Sequence, residues 1–165
     1  MKIIGIDPGT GIMGFGVIDF SPGKKPIILD AGVIKTPANT PLDERLVDIY
    51  DSLTEIIKKT KPTAMSIEKL YFSQNITTAI SVSHARGVAM LAGAKAGLPI
   101  YEYTPLQIKQ TLTGYGRADK NQMGEMVKVH LGLKSIPKPD DCADALATAI
   151  THNLMHSPAP ITRKG

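Results

Sequence analysis

Apolar residues along this chain fall into two rhythms, and each change of rhythm marks an element. Ile3-Ile4-Gly5-Ile6 is a short unbroken apolar run, the mark of a strand buried on both faces. Residues 2–7, 14–20 and 27–35 read as three strands. The Pro8-Gly9-Thr10-Gly11 and Ser21-Pro22-Gly23 turns join them, and such short links favour antiparallel neighbours. The rhythm then lengthens. Leu42, Leu46, Ile49, Leu53, Ile56 and Ile57 recur at helical spacing, which predicts a helix over about 41–60 stopped by Pro62. A strand at 63–68, a helix at about 76–96 ending at Gly97 and a strand at 98–103 follow. Thr104-Pro105-Leu106-Gln107 opens a helix with a capping-box pattern and proline at its first position, and Asp119 through Gln122 opens another that reaches about Leu131. The last helix is expected over about 141–154, after Pro137 and Pro139. This order predicts an α/β fold: a mixed five-stranded sheet, an antiparallel meander and then α-β-α-β, with helices on both faces.

Length changes the picture little. The 165 residues suit one domain, expected over 1–156, with a loose tail at 157–165 rich in proline and small residues. The single cysteine, Cys142, excludes an intrachain disulfide and fits a reducing compartment. No cationic leader with an apolar core is read at the N-terminus, and no apolar run approaches membrane-spanning length, so a soluble cytoplasmic protein is expected. The net charge of +4 permits an acidic partner without requiring one.

The chemistry enters with four carboxylates. Asp7 ends the first apolar strand, and Glu68 ends a second such run, Ala64-Met65-Ser66-Ile67. Asp141 and Asp144 lie three apart at the start of an alanine-rich helical stretch and so share a face. If these segments converge, their negative charges repel unless divalent cations neutralise them. Two Mg²⁺ ions roughly 3.5–4 Å apart can activate a water and relieve charge on a leaving oxygen in phosphodiester hydrolysis. A site of Asp and Glu without Cys or clustered His suits magnesium. Asp-Pro-Gly is also ordinary turn chemistry, and acidic residues are common at helix starts. Neither explanation accounts for Glu68 or Asp144.

Ile4-Gly5-Ile6-Asp7-Pro8-Gly9-Thr10, Ile67-Glu68, Ala85-Arg86-Gly87 and Asp141-Cys142-Ala143-Asp144-Ala145-Leu146-Ala147, in that order, closely resemble the RuvC family of bacterial Holliday-junction resolvases, whose fold is ribonuclease H-like. The resemblance implies a Mg²⁺-dependent, structure-selective crossover junction endonuclease that acts in DNA recombination and repair. It implies Asp7, Glu68, Asp141 and Asp144 as catalytic metal ligands, two Mg²⁺ per site with Mn²⁺ as a possible substitute. The family pattern selects Asp141 over Asp140 and leaves Asp140 as the helix cap. Implied partners are a four-way DNA junction, a second copy of the chain and a branch-migration motor of the RuvA and RuvB type.

Lys120 lies in the first turn of a helix, where a cation opposes the macrodipole unless an anion is bound nearby. Lys109, Arg117 and Lys120 are therefore expected at phosphates near the cut, and the family places functional lysines at Lys109 and Lys120; Arg86, in its own motif, is expected at DNA as well. Of the adjacent rings Tyr71 and Phe72, Tyr71 is assigned to stacking on a splayed base, a role the family gives an aromatic there, and Phe72 to packing. Ala85, Ala89 and Gly93, with Ala92 and Ala96 beside them, form a stripe that allows close helix approach. From the stripe alone intrachain packing is the better account; the resemblance adds a C₂ dimer matched to the junction's symmetry.

Cys142 is expected as a small buried apolar residue. His152 and His156 have ligand-like spacing, but His152 sits about 16 Å along the helix from Asp141, so both are expected as helix-end or surface residues. The rival readings are a YqgF-type ribonuclease H-like nuclease acting on RNA and a catalytically idle junction-binding protein. An actin-like phosphotransferase, suggested by Asp7-Pro8-Gly9-Thr10-Gly11, would need a second nucleotide-gripping domain.

Overall fold

The computed structural model describes residues 1–70 and 76–156. Five strands, β1 (Lys2–Asp7), β2 (Ile12–Asp19), β3 (Ile27–Lys35), β4 (Ala64–Glu68) and β5 (Ile100–Tyr103), form one sheet in the order β3-β2-β1-β4-β5. The meander is antiparallel, whereas β4 runs parallel to both β1 and β5. The central pair β1 and β4 therefore ends on one side of the sheet, with Asp7 and Glu68 as the final residues.

Strand alternation separates two cores. Ile4, Ile6, Met13, Phe15, Met65 and Ile67 point to the face covered by α1 (Leu42–Thr60) and α2 (Ile76–Lys95), packing on Ile49, Leu53, Ala85 and Ala89. Ile3 and Ile18 point the other way, against α3 (Pro105–Thr113), α4 (Lys120–Leu131) and α5 (Asp140–His156). Asp7 shares the parity of Ile3, and Glu68 that of Ser66, so both carboxylates emerge on the α5 side.

The expected boundaries hold to within about two residues, the usual spread at frayed ends. Both capping boxes form: Thr104 with Gln107 opens α3, and Asp119 with Gln122 opens α4. The small-residue stripe faces inward. Ala85, Ala89 and Ala92 are buried, and a Cβ on Gly93 would reach the Met65 sulfur at 2.9 Å.

α5 lies across the sheet on a floor of glycines. A side chain at Gly5 would strike the Ala145 carbonyl, one at Gly14 the Asp141 carbonyl, and one at Gly16 the Leu146 side chain. Strand glycines of this kind mark a close approach of another backbone. Gly14 is also the register partner of Asp7. The start of α5 is thus pressed against the strand position beside Asp7.

Candidate active site

Three separate elements deliver the carboxylates: Asp7 from β1, Glu68 from β4, and Asp141 and Asp144 from the first turns of α5. Glu68 and Asp144 line a cleft of about 250 Å³. Lys109 from α3 and Lys120 from α4 share its wall, with Ile108 and Met123 as its apolar part. Asp7 is half-buried, beside Gly14 and under α5.

The charges feel one another. Burial pushes the Asp7 carboxyl up to about 8, and repulsion from Glu68, Asp144 and Asp141 adds to it, while Lys120 opposes. Burial and then repulsion from Asp144 push Glu68 up to about 7, against Lys109 and Lys120. Asp144 is also raised, first by burial, with Lys120 holding it back. Lys120 Nζ stands 3.7 Å from Asp144 Oδ2, so this first-turn cation already answers a carboxylate of α5. Among the described residues no three His, Cys, Asp or Glu side chains stand at ion-holding spacing. The donors fit a hard divalent cation in kind, since all are carboxylates and their shared repulsion is relieved by positive charge.

The loop that follows Asp7 is latched from outside. Thr36 Oγ1 donates to the Thr10 carbonyl at 2.6 Å, and Arg45 Nε donates to Thr36 Oγ1 at 2.8 Å. Sequence reasoning passed over Thr36, Arg45 and Gly14. Only Gly14 had a signal, as a glycine inside an otherwise apolar strand.

Asp140, expected as the α5 cap, is instead its first residue. The Pro139 carbonyl accepts from the amides of Cys142 at 3.0 Å and Ala143 at 3.3 Å, which starts the helix one residue earlier. The Asp140 side chain turns outward to Lys138 Nζ at 2.6 Å, and this hydrogen bond holds its carboxyl below the usual range. Cys142 is buried as expected, and burial raises its thiol pKa.

His152 departs from expectation as well. It is 2% exposed, and its Nδ1 lies 2.7 Å from the Tyr103 hydroxyl, because β5 delivers two tyrosines against the end of α5. Burial, then the nearby His156, drops its pKa to about 4. His156 is exposed, with its ring 4.4 Å from that of His152.

Of the residues expected at DNA, Lys109 and Lys120 reach the cleft, and Arg117 is exposed in the loop before α4. The Arg86 guanidinium lies on protein partners, Glu102 and the Glu68 carbonyl. Tyr71 and Phe72 lie outside the described residues, as does the tail at 157–165. No described helix is long and apolar enough to cross a membrane.

Comparison with known proteins identifies the family. The family model "Crossover junction endodeoxyribonuclease RuvC" matches residues 3–152. A protein of that name from Desulfitobacterium hafniense is 53% identical over 165 residues, covering 100% of this chain and 98% of the relative. Another, from Chloroflexus aurantiacus, is 51% identical over 152 residues, 92% of each chain. Among solved structures, T. thermophilus RuvC in complex with Holliday junction substrate superposes with a TM-score of 0.89 at 37% identity, covering 94% of each chain. The yeast mitochondrial resolvase Ydc2, 14% identical with a TM-score of 0.65 over 94% of this chain and 80% of its own, shares the fold. Carboxylates from β1, β4 and α5 around one lysine-walled cleft, on a chain matched over nearly its whole length, place this protein in the RuvC family of crossover junction endodeoxyribonucleases, nucleases that depend on divalent metal ions.

Proposed function

We propose that the protein resolves Holliday junctions as a homodimer in the cytoplasm, each protomer nicking one of two symmetric strands, with two Mg²⁺ per site held by Asp7, Glu68, Asp141 and Asp144. The observation that carries this reading is the mutual repulsion of these carboxylates at a cleft that also presents Lys109 and Lys120. Bound there, the cations would lower the pKa of the attacking water and neutralise charge on the leaving 3′ oxygen; Mn²⁺, another oxygen-seeking cation, would substitute.

The remaining work belongs to the chain. Lys109 and Lys120 hold the phosphate at the cleft mouth, where Lys120 also lies beside Asp144, one of the residues that would hold a cation. Arg117 contacts the backbone beside it, and Tyr71 stacks on a base splayed at the branch point. The glycine floor holds α5 so that its two carboxylates face Asp7 and Glu68 without moving during the reaction.

The homodimer rests on the outward face of α2. Ile80 and Leu91 are 52% and 53% exposed, with exposed His84 and Gly87 between them on the same side. That is an apolar stripe opposite the packed alanines, self-complementary about a two-fold axis. Residues 1–156 act as one nuclease domain, with 157–165 as its tail, and a branch-migration motor of the RuvA and RuvB type presents the junction.

The test is cleavage of an end-labelled four-way junction, a duplex and an RNA–DNA hybrid, with Mg²⁺ or with chelator. Paired symmetric nicks in the junction alone, and only with metal, are expected. Cutting of the hybrid instead moves the protein to an RNA-directed activity, and tight junction binding without cutting makes it an idle binder. Asp7→Asn should abolish cleavage and keep junction binding.

A further inference from the structure

Arg86 sits in the middle of α2 with its side chain 19% exposed. Its Nε donates to the carbonyl oxygen of Glu68 at 3.2 Å, and its Nη2 pairs with Glu102. Glu102 lies on β5 opposite Ile67, the residue before Glu68. One guanidinium therefore ties the outer helix layer to two adjacent strands at the point where β4 ends.

The location matters because the sheet supports this strand end from the β5 side alone. The ladder between β1 and β4 stops at Ile6 and Ile67, one residue short of both catalytic carboxylates. On the β5 side, the Lys69 amide still donates to the Tyr103 carbonyl at 2.8 Å. The Glu68 peptide is thus gripped from β5 through the next amide and from α2 through Arg86. A carbonyl at a strand end needs a donor, and a planar guanidinium serves two acceptors in fixed directions, which an ammonium on a flexible stem does not.

We propose that Arg86, braced by Glu102, is a positioning residue that holds the Glu68 main chain so its carboxylate faces Asp7 and Asp144, setting divalent-cation affinity without contacting DNA. The proposal rests on the metal-dependent reading of the site. It replaces the DNA contact expected of Arg86 from the sequence, because the Nε and Nη2 donors of its guanidinium already serve protein acceptors. The repulsion among Asp7, Glu68 and Asp144 is what the clamp works against.

Two variants test it, Arg86→Gln and the milder Glu102→Gln, each assayed below its melting temperature. Mn²⁺ binding to the DNA-free protein, followed by electron paramagnetic resonance, should weaken on the order of tenfold in Arg86→Gln, the lower end of what losing an outer partner of a ligand costs. Glu102→Gln should weaken it less. Cleavage by Arg86→Gln should fall at low Mg²⁺ and recover at high Mg²⁺. Junction binding in chelator should be unchanged in affinity and in salt dependence. Arg86→Lys should not rescue the metal affinity. A lost phosphate contact would instead weaken binding in chelator and reduce the salt slope by about one unit, and that result overturns the proposal. Unchanged Mn²⁺ affinity in both variants overturns it too. If Arg86→Gln does not fold, Glu102→Gln alone decides. Wild-type protein that binds Mn²⁺ yet never cuts a junction would defeat the resolvase reading while leaving the clamp measurable.

Discussion

Asp7 and Glu68 make stability depend on pH in a direction opposite to most carboxylates. Their folded pKa values, about 8 and about 7, lie above the ordinary 3.8 and 4.5. A carboxyl raised in this way stabilises the fold while protonated, and that contribution is complete below its unfolded pKa. It is lost as pH rises through the folded value. Metal-free protein should therefore melt lower at about pH 9 than at about pH 5, and Mg²⁺ should restore the alkaline loss. Asp7→Asn should raise the metal-free alkaline Tm, by ~2–4 °C for each kcal/mol of repulsion removed in a domain of this size. Scanning calorimetry checks both, and a Tm that stays flat with pH and mutation would mean that the carboxylates do not crowd one another. The same titration predicts that cleavage at limiting Mg²⁺ climbs with pH up to about 8, because metal binding must displace these protons.

His152 carries the reverse sign. With a folded pKa of about 4 against an ordinary 6.5, it contributes stability above the ordinary value that is lost as pH falls through the folded one. Burial is the first cause and the neighbouring His156 the second, while the Tyr103 hydroxyl partners the buried ring nitrogen. Tyr103→Phe should lower stability by about 1–3 kcal/mol in urea unfolding, since it leaves a buried ring nitrogen unpaired. The sequence misplaced this histidine for a physical reason: its burial depends on two β5 tyrosines some fifty positions earlier in the chain, and no local pattern announces that meeting. Glu68 and Asp144 were legible because each follows or interrupts an apolar run, where an acid has no local reason to be. Asp7 and Asp141 needed the family motif to lift them above turn and helix-start chemistry.

At the scale of elements, α5 and the glycines beneath it set the site. Gly14→Ala would drive a methyl group into the Asp141 carbonyl, and neither backbone can yield cheaply. The helix must lift or turn, so Asp141 and Asp144 shift relative to Asp7. Cleavage should fall by ~10²-fold or more, the order expected from displacing catalytic groups by about 1 Å. Gly32→Ala is the control, since its new methyl would rest in ordinary contact on the Phe15 ring, 3.5 Å away. Element order and boundaries were readable from apolar periodicity and from capping residues such as Thr104 and Asp119. The Asp140 cap was not, because a proline carbonyl rather than a side chain begins the helix. The alanine stripe of α2 was read from sequence as intrachain packing, and Ala85, Ala89, Ala92 and Gly93 do pack inward.

For the whole molecule, the proposed homodimer gives the outward face of α2 the task of making two sites act together. Leu91→Glu places a charge within the proposed two-fold contact. Light scattering should find a monomer in place of a dimer. Junction cleavage should change from paired nicks to single ones, with each remaining site intact. A dimer of unchanged mass would move the interface elsewhere.

The sheet order also bears on the life of the chain before it is finished. Asp7 and Glu68 are both made within the first 68 residues and can sit side by side as soon as β1 and β4 pair. Asp141 and Asp144 arrive only with α5, which also supplies the cover over Gly5, Gly14 and Gly16. A ribosome-bound or truncated chain thus carries half of the proposed ligand set and an uncovered sheet face. With the proposed ligand set, the order of synthesis mounts the blade last.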